Sequence, residues 1–352
     1  MSEFWTYGAG VVGNCCTHGA YVARALAEHP RISLVAGYEA DSKRGPELAE
    51  AMGHDLAADY DAVIDDPQVE IVGIATDPSD KAEMVERACA RGKDVWINKP
   101  LCESLDSARR IVRAVAHSGV KLVHDIPMVK GLSIYAKFRQ EVAAGEYGRP
   151  ISYAHNFGMT FGFDFDIGAT WPERFDPPAI SGGGEMTNMG CYAIDYLATL
   201  FGLPEAVQAK RADFWEPYRQ AHLENFGQIV CDYGDFFALL SVGKQQLGAP
   251  RQGTNVLTAV FPHHTFLFDP YNDTLRINGA PHEVAEYLGD FRPESSLNQL
   301  LRCIETGAEP EDNAQVSAQG VELLMAAYHS VSNGGQAVAL PLEDGANPLV
   351  TT

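Results

Sequence analysis

Two short stretches of the chain carry the residue types best suited to moving protons. Asn98-Lys99-Pro100 directly follows an apolar run, Asp94–Ile97, that reads as a strand. Open α/β sheets bind ligands at the carboxyl edge of their strands, so a lysine there could hold a substrate oxygen. The proline fixes the strand exit and is a candidate for a cis peptide. The second stretch starts at Gly182-Gly183-Gly184 and reads as one helix running to about Phe201. Met186, Met189, Ala193, Leu197 and Leu200 form its apolar face, while Asn188, Tyr192 and Asp195 share another face at i, i+4 and i+7. The glycines let another group approach the helix start closely. A lysine beside a tyrosine would lower the phenol from its ordinary pKa of ~10 and let it take a proton from a hydroxyl.

A third stretch concerns phosphates. Gly8-Ala9-Gly10-Val11-Val12-Gly13 is G-x-G-x-x-G, expected to follow a strand at Phe4–Tyr7 and to open a helix from Gly13 to about Glu28. In that context the first glycine makes the turn, the second admits a pyrophosphate, and the third lets helix and strand pack closely. These six residues are therefore candidate cofactor contacts. Glu39, at the end of the second strand Ile32–Tyr38, could accept from ribose hydroxyls and repel a 2′-phosphate, favouring NAD over NADP, although Lys43 and Arg44 stand close by.

The elements that must position these residues fall into two halves. Up to about residue 125, short strands alternate with helices, which means βαβ units and a parallel sheet. Ser79 and Ser104 are the expected helix N-caps. Beyond residue 125 the pattern becomes mostly β between 207 and 277, closed by helices at Ser296–Thr306 and Gln315–Ser330. Two domains follow, 1–125 and 126–352, with a cleft between them. The chain has 352 residues, with 26 Lys+Arg against 47 Asp+Glu and a formal net charge of −21. So acidic a surface argues against nucleic-acid or anionic-membrane partners. No apolar run approaches a membrane span, and the N-terminus carries no leader pattern, so a cytoplasmic location is expected. Seven cysteines without C-x-x-C spacing read as reduced thiols, and the histidines lack metal-ligand spacing, so no metal site is expected.

The pieces GAGVVG (8–13), ATDPSDKAEMV (75–85), GKDVWINKPL (92–101), SGGGEMTNMGCYAID (181–195) and AAYHSVSNGGQAVALPL (326–342) occur together and in order. In this the chain resembles the glucose–fructose oxidoreductase/inositol dehydrogenase/MocA family. The resemblance implies an NAD-binding Rossmann domain and a C-terminal α+β domain with a large, open, mostly antiparallel sheet. One face of that sheet commonly forms the oligomer interface, so a homodimer or larger even-numbered assembly is expected. It also implies Thr76, Asp77, Asn98 and Lys99 as cofactor contacts, and catalysis by Lys99, Tyr192 and Asn188. Substrate contacts are expected from Lys99, Trp171, Arg174, Asn188 and Tyr192. Three departures stand out. The family's Glu-Lys-Pro is Asn98-Lys99-Pro100, its helical Asp and His or Tyr are Asn188 and Tyr192, and its Asn/Arg signature is replaced by Asp125 to Lys130. Members with tyrosine resemble sugar oxidoreductases, keto-sugar reductases and dihydrodiol dehydrogenases. The aromatics and carboxylates of 155–175 suit a sugar ring or a flat aglycone, or else pack the second domain. The expected activity is hydride transfer between NAD and a sugar, polyol or glycoside. An aromatic trans-dihydrodiol dehydrogenase and a non-catalytic NAD-binding regulator are the alternatives.

Overall fold

The computed structural model describes residues 6–161, 176–247 and 253–350. Five parallel strands form the first sheet: β1 (Tyr7–Val12), β2 (Ile32–Tyr38), β3 (Ile71–Ile74), β4 (Asp94–Asn98) and β5 (Leu122–Asp125), in the order β2-β1-β3-β4-β5. The second sheet has nine strands: β6 (Ser152–Phe161), β7 (Ala206–Ala212), β8 (Phe226–Asp232), β9 (Phe237–Leu247), β10 (Thr254–Val260), β11 (Thr265–Asp269), β12 (Thr274–Ile277), β13 (Ala280–His282) and β14 (Val338–Ala339). Their order is β13-β12-β11-β10-β6-β9-β8-β7-β14, antiparallel throughout except for the β6–β9 pair. This is the Rossmann sheet and the large open sheet expected from the sequence.

The first sheet corrects the placement of the glycine motif. Strand β1 runs through it, so Gly8, Ala9, Gly10, Val11 and Val12 lie inside the sheet, paired with β2 and β3, and only Gly13 reaches the turn. The glycines serve packing: a Cβ on Gly8 would stand 1.7 Å from the Gln68 carbonyl oxygen, and one on Gly10 2.5 Å from Val63 Cγ1. Both faces of a parallel sheet are covered, and here the cover comes within backbone distance. The turn proper is 13–17, with Gly13 at φ 84°, Cys16 at 49° and Thr17 at 61°, and the helix begins only at His18. Ser104 caps the helix Leu105–Ser118 as expected, accepting from Ser107 N. Ser79 caps nothing, because a 3₁₀ turn at Pro78–Asp80 precedes the helix Lys81–Ala90.

Helices cover one face of the second sheet. Ile229, Cys231, Ala238 and Leu240 are buried there with the helices Gly190–Phe201 and Ala314–Ser332. The other face leaves Val230, Phe237 and Leu239 exposed. The helix Ser296–Thr306 returns to the first sheet, packing Leu297, Leu300 and Leu301 beside Trp96 and Val123. No helix among the described residues is long and apolar enough to cross a membrane. Because Gly8 is spaced by backbone, Gly8→Ala should destabilise the protein by ~1–3 kcal/mol or more, as overpacked cores do. Urea unfolding of the variant at parental stability would contradict this reading.

Candidate active site

The strand exit after β4 sets the site. Lys99-Pro100 is a cis peptide, and buried Lys81 donates to the carbonyls on either side of Lys99, those of Asn98 and Pro100. The Lys99 side chain, 5% exposed, is left facing the second domain. There its Nζ donates to Asn188 Oδ1 at 2.8 Å and to the Asn188 carbonyl at 3.2 Å.

The opposing wall is built around a buried carboxylate. Glu224 accepts from the N–H groups of Gly184 and Met186 and from the Tyr328 hydroxyl, at 3.0, 3.1 and 2.7 Å. The triple glycine exists for this approach: a Cβ on Gly184 would meet the Glu224 carbonyl at 2.2 Å, and one on Gly183 the Tyr328 hydroxyl at 2.1 Å. The expected single helix is broken in two, Glu185–Asn188 and Gly190–Phe201. Asn188, Tyr192 and Asp195 still share the face turned to the first domain, but their surroundings differ. Asp195 is buried in an ion pair with Lys130, with the His124 ring, which burial holds below its usual range, 3.4 Å away. Tyr192 lies with its ring 5.2 Å from Lys99 Nζ and 5.2 Å from Phe157. Burial drives its phenol well above 10, with nearby acidic groups adding to the rise, the opposite of the lowering expected from Lys99. Its hydroxyl has no hydrogen-bond partner among the described residues.

A cleft of about 830 Å³, counted out to solvent, joins the two walls. Its first-domain side is made by Cys15, Cys16, His18, Thr76, Asp77 and Lys99, and its second-domain side by Gly183 to Glu185, Thr187, Asn188, Tyr218 and Lys244. A nicotinamide dinucleotide fits this wall. Thr76 Oγ1 is buried there without a partner, and the ten-residue helix His18–Ala27 begins at the cleft without a side-chain cap. Its N-terminus is suited to phosphate. Of the expected cofactor contacts, Thr76, Asp77 and Lys99 line the cleft and Gly13 adjoins it, whereas Gly8, Ala9, Gly10, Val11 and Val12 belong to the strand. Asn98 is buried and gives its amide to Asp125 Oδ2 at 3.3 Å. Glu39 is 2% exposed at its side chain and accepts from the N–H groups of Asn14 and Asp41, so it holds the loop itself. Trp171 and Arg174 lie outside the described residues.

Residues 7–125 match the oxidoreductase family with an NAD-binding Rossmann fold, and residues 135–256 match the GFO/IDH/MocA C-terminal domain. The chain belongs to this family. D-xylose dehydrogenase of Paenarthrobacter nicotinovorans is 33% identical over 171 residues, so the match covers 47% of this chain and under half, 42%, of that protein. Inositol 2-dehydrogenase 2 of Saccharopolyspora erythraea is 26% identical across 98% of both chains. Among solved structures, levoglucosan dehydrogenase in complex with NADH and levoglucosan has the same fold, with a TM-score of 0.81 at 17% identity over 96% of this chain and 100% of that one.

Within this family fold, several groups escaped the sequence reading. His18 is held well below its usual range by burial and by the charges of Lys99 and Lys81, so a neutral ring faces the cleft. Glu185, Tyr218 and Lys244 meet at the second wall. Glu185 alone left a signal, as an acid one helical turn before Asn188. Behind the cleft, burial lifts the Asp125 carboxyl from 3.8 to about 6, against hydrogen bonds from Ser296, Asn98 and Tyr21 that favour the carboxylate. Folding therefore favours the protonated form. Its contribution to stability is complete below about 3.8 and is lost as pH rises through about 6. Asp125→Asn, neutral at every pH, should gain on the parent by up to ~3 kcal/mol between about pH 4 and pH 7. Urea midpoints across that range check this, and a constant difference between the two proteins contradicts it.

Proposed function

We propose that the protein is an NAD-dependent oxidoreductase interconverting a secondary alcohol and a ketone on a sugar, polyol or glycoside. The observation that carries this reading is the cleft in which Cys15, Cys16, His18, Thr76 and Lys99 on one side face Asn188 on the other. A bound nicotinamide dinucleotide would supply the hydride chemistry. The loop, the start of the helix His18–Ala27 and Thr76 would hold it. Preference for NAD is supported by the acids around Arg44: Glu39, Asp41 and Asp77 lie 3.2, 3.6 and 3.0 Å from its guanidinium. Three carboxylates on one guanidinium disfavour a 2′-phosphate at the end of β2.

Lys99 holds the substrate oxygen as negative charge develops on it, a role suited to a nearly buried cation. Tyr192, kept neutral by burial, donates its proton when a ketone is reduced; in the reverse direction it first releases that proton to solvent, and the phenolate takes the hydroxyl proton as the hydride leaves, so oxidation speeds up as pH rises. The Tyr192 hydroxyl, unpartnered among the described residues, and its ring, 5.2 Å from Lys99 Nζ, support this role. Asn188 fixes Lys99 through a neutral amide. The exposed Val230, Phe237 and Leu239 of the open sheet support an assembly with an even number of copies.

With a panel of sugars, polyols and glycosides, absorbance at the NADH band should rise on incubation with NAD. Tyr192→Phe and Lys99→Met should each lose at least ~10²-fold in turnover, with NAD(H) affinity near normal for Tyr192→Phe and tighter than NADP(H) in the parent. A folded Tyr192→Phe protein turning over at the parent rate removes the tyrosine from the mechanism. Light scattering should give an even multiple of 38.2 kDa; a monomeric mass at micromolar concentration contradicts the assembly.

A further inference from the structure

Lys99 meets no carboxylate directly among the described residues; both its hydrogen bonds go to Asn188. The negative charge stands one step further back. Asn188 Nδ2 donates to Glu185 Oε2 at 3.1 Å, and the other oxygen of Glu185 accepts from the Tyr218 hydroxyl at 2.7 Å with Lys244 Nζ at 3.6 Å. Glu185 is 4% exposed and sits at the start of the short helix that Glu224 anchors.

This arrangement has a direction. An ionised carboxylate only accepts hydrogen bonds and an ammonium only donates them, so an amide between the two has one allowed orientation. With Glu185 in place, the Asn188 NH₂ group must face the carboxylate and its carbonyl oxygen must face Lys99. Reversed, the amide would set N–H groups against the ammonium. Tyr218 and Lys244 hold the carboxylate from behind, so the chain from the second-domain wall to the amine has no loose member.

We propose that Glu185 is a positioning residue of the active site: through the Asn188 amide it aims the Lys99 amine at the substrate oxygen. This rests on the function proposed above. Asn188 is the coupling element, which explains how a neutral residue serves beside a cation where a direct carboxylate would be the simpler solution.

The test uses exchange of the carboxylate between the two positions. Glu185→Gln can present either an oxygen or an NH₂ group to Asn188, so the orientation is no longer imposed, and kcat should fall by about 10²-fold, as for other small misplacements. KM should stay within about threefold, since misplacement acts on the chemical step more than on ground-state binding. Adding Asn188→Asp to Glu185→Gln puts a carboxylate directly on Lys99 and should recover at least about tenfold of the lost turnover. Parental kcat in Glu185→Gln, or a double variant no faster than the single, overturns the proposal. If the parent itself oxidises no member of the panel, the proposed function fails, and the relay is decided by a crystal structure of Glu185→Ala. An Asn188 side chain that leaves Lys99, opening the 2.8 Å contact, upholds the relay; an unmoved side chain overturns it.

Discussion

One buried ammonium holds the turn on which the cleft depends. Lys81 is 1% exposed and donates to the carbonyl groups of Asn98 and Pro100. With both flanking carbonyls drawn inward, Lys99 between them has only the cleft to enter. Burial, aided by the charge of Lys99, pulls the Lys81 pKa down to about 8. The His18 ring bonds the Lys99 backbone as well and is kept neutral by the same burial and the same two cations. Hydrophobic packing could hold this turn in place but could not choose which way its side chain points; two directed hydrogen bonds do.

The facing wall follows the same logic with the sign reversed. Glu224 is fully buried, and its carboxylate binds the first N–H groups of a helix whose apolar face alone would tolerate sliding. Tyr328 adds a hydroxyl from the helix Ala314–Ser332, which also bonds Thr187 at 2.9 Å. A cation fixes the first-domain lip and an anion fixes the second. Lys99, Asn188 and Glu185 bridge them, so the cleft is an assembly of polar groups seated in apolar packing. That is the preorganisation a hydride-transfer site requires of its protein.

Much of this was legible in the sequence, and what was not has physical reasons. The alternation of strands and helices gave the parallel sheet, and the end of β5 at Asp125 coincides with the change of pattern. Helix Ser296–Thr306 was readable to the residue because its cap and terminal glycine are local signals. Its return to the first sheet was not, because packing partners leave no mark in periodicity. The glycine motif misled for the same reason: G-x-G-x-x-G has the spacing of a phosphate loop, but Gly8 and Gly10 answer Gln68 and Val63, far along the chain. At the site, the motifs singled out Lys99 and Asn188, and the fold brings the two into contact. Glu39 was read as a ribose contact, yet its carboxylate is engaged by Asn14 and Arg44. The tyrosine was expected to be acidified by its neighbour, but proximity to a cation is a sequence inference and complete burial is not. Glu224 and Lys81 were invisible as anchors, since a buried charge looks like a surface charge until the fold encloses it.

Hydride transfer between a carbinol carbon and a nicotinamide leaves an isotopic record. The most direct measurement follows the isotope: a sugar, polyol or glycoside deuterated at the carbinol carbon is incubated with NAD and the parent protein, and the nucleotide is analysed by mass spectrometry. One deuterium in the reduced nucleotide for each ketone formed is the expected result. Ketone formed with an unlabelled nucleotide, or with the deuterium released to water, would contradict the account.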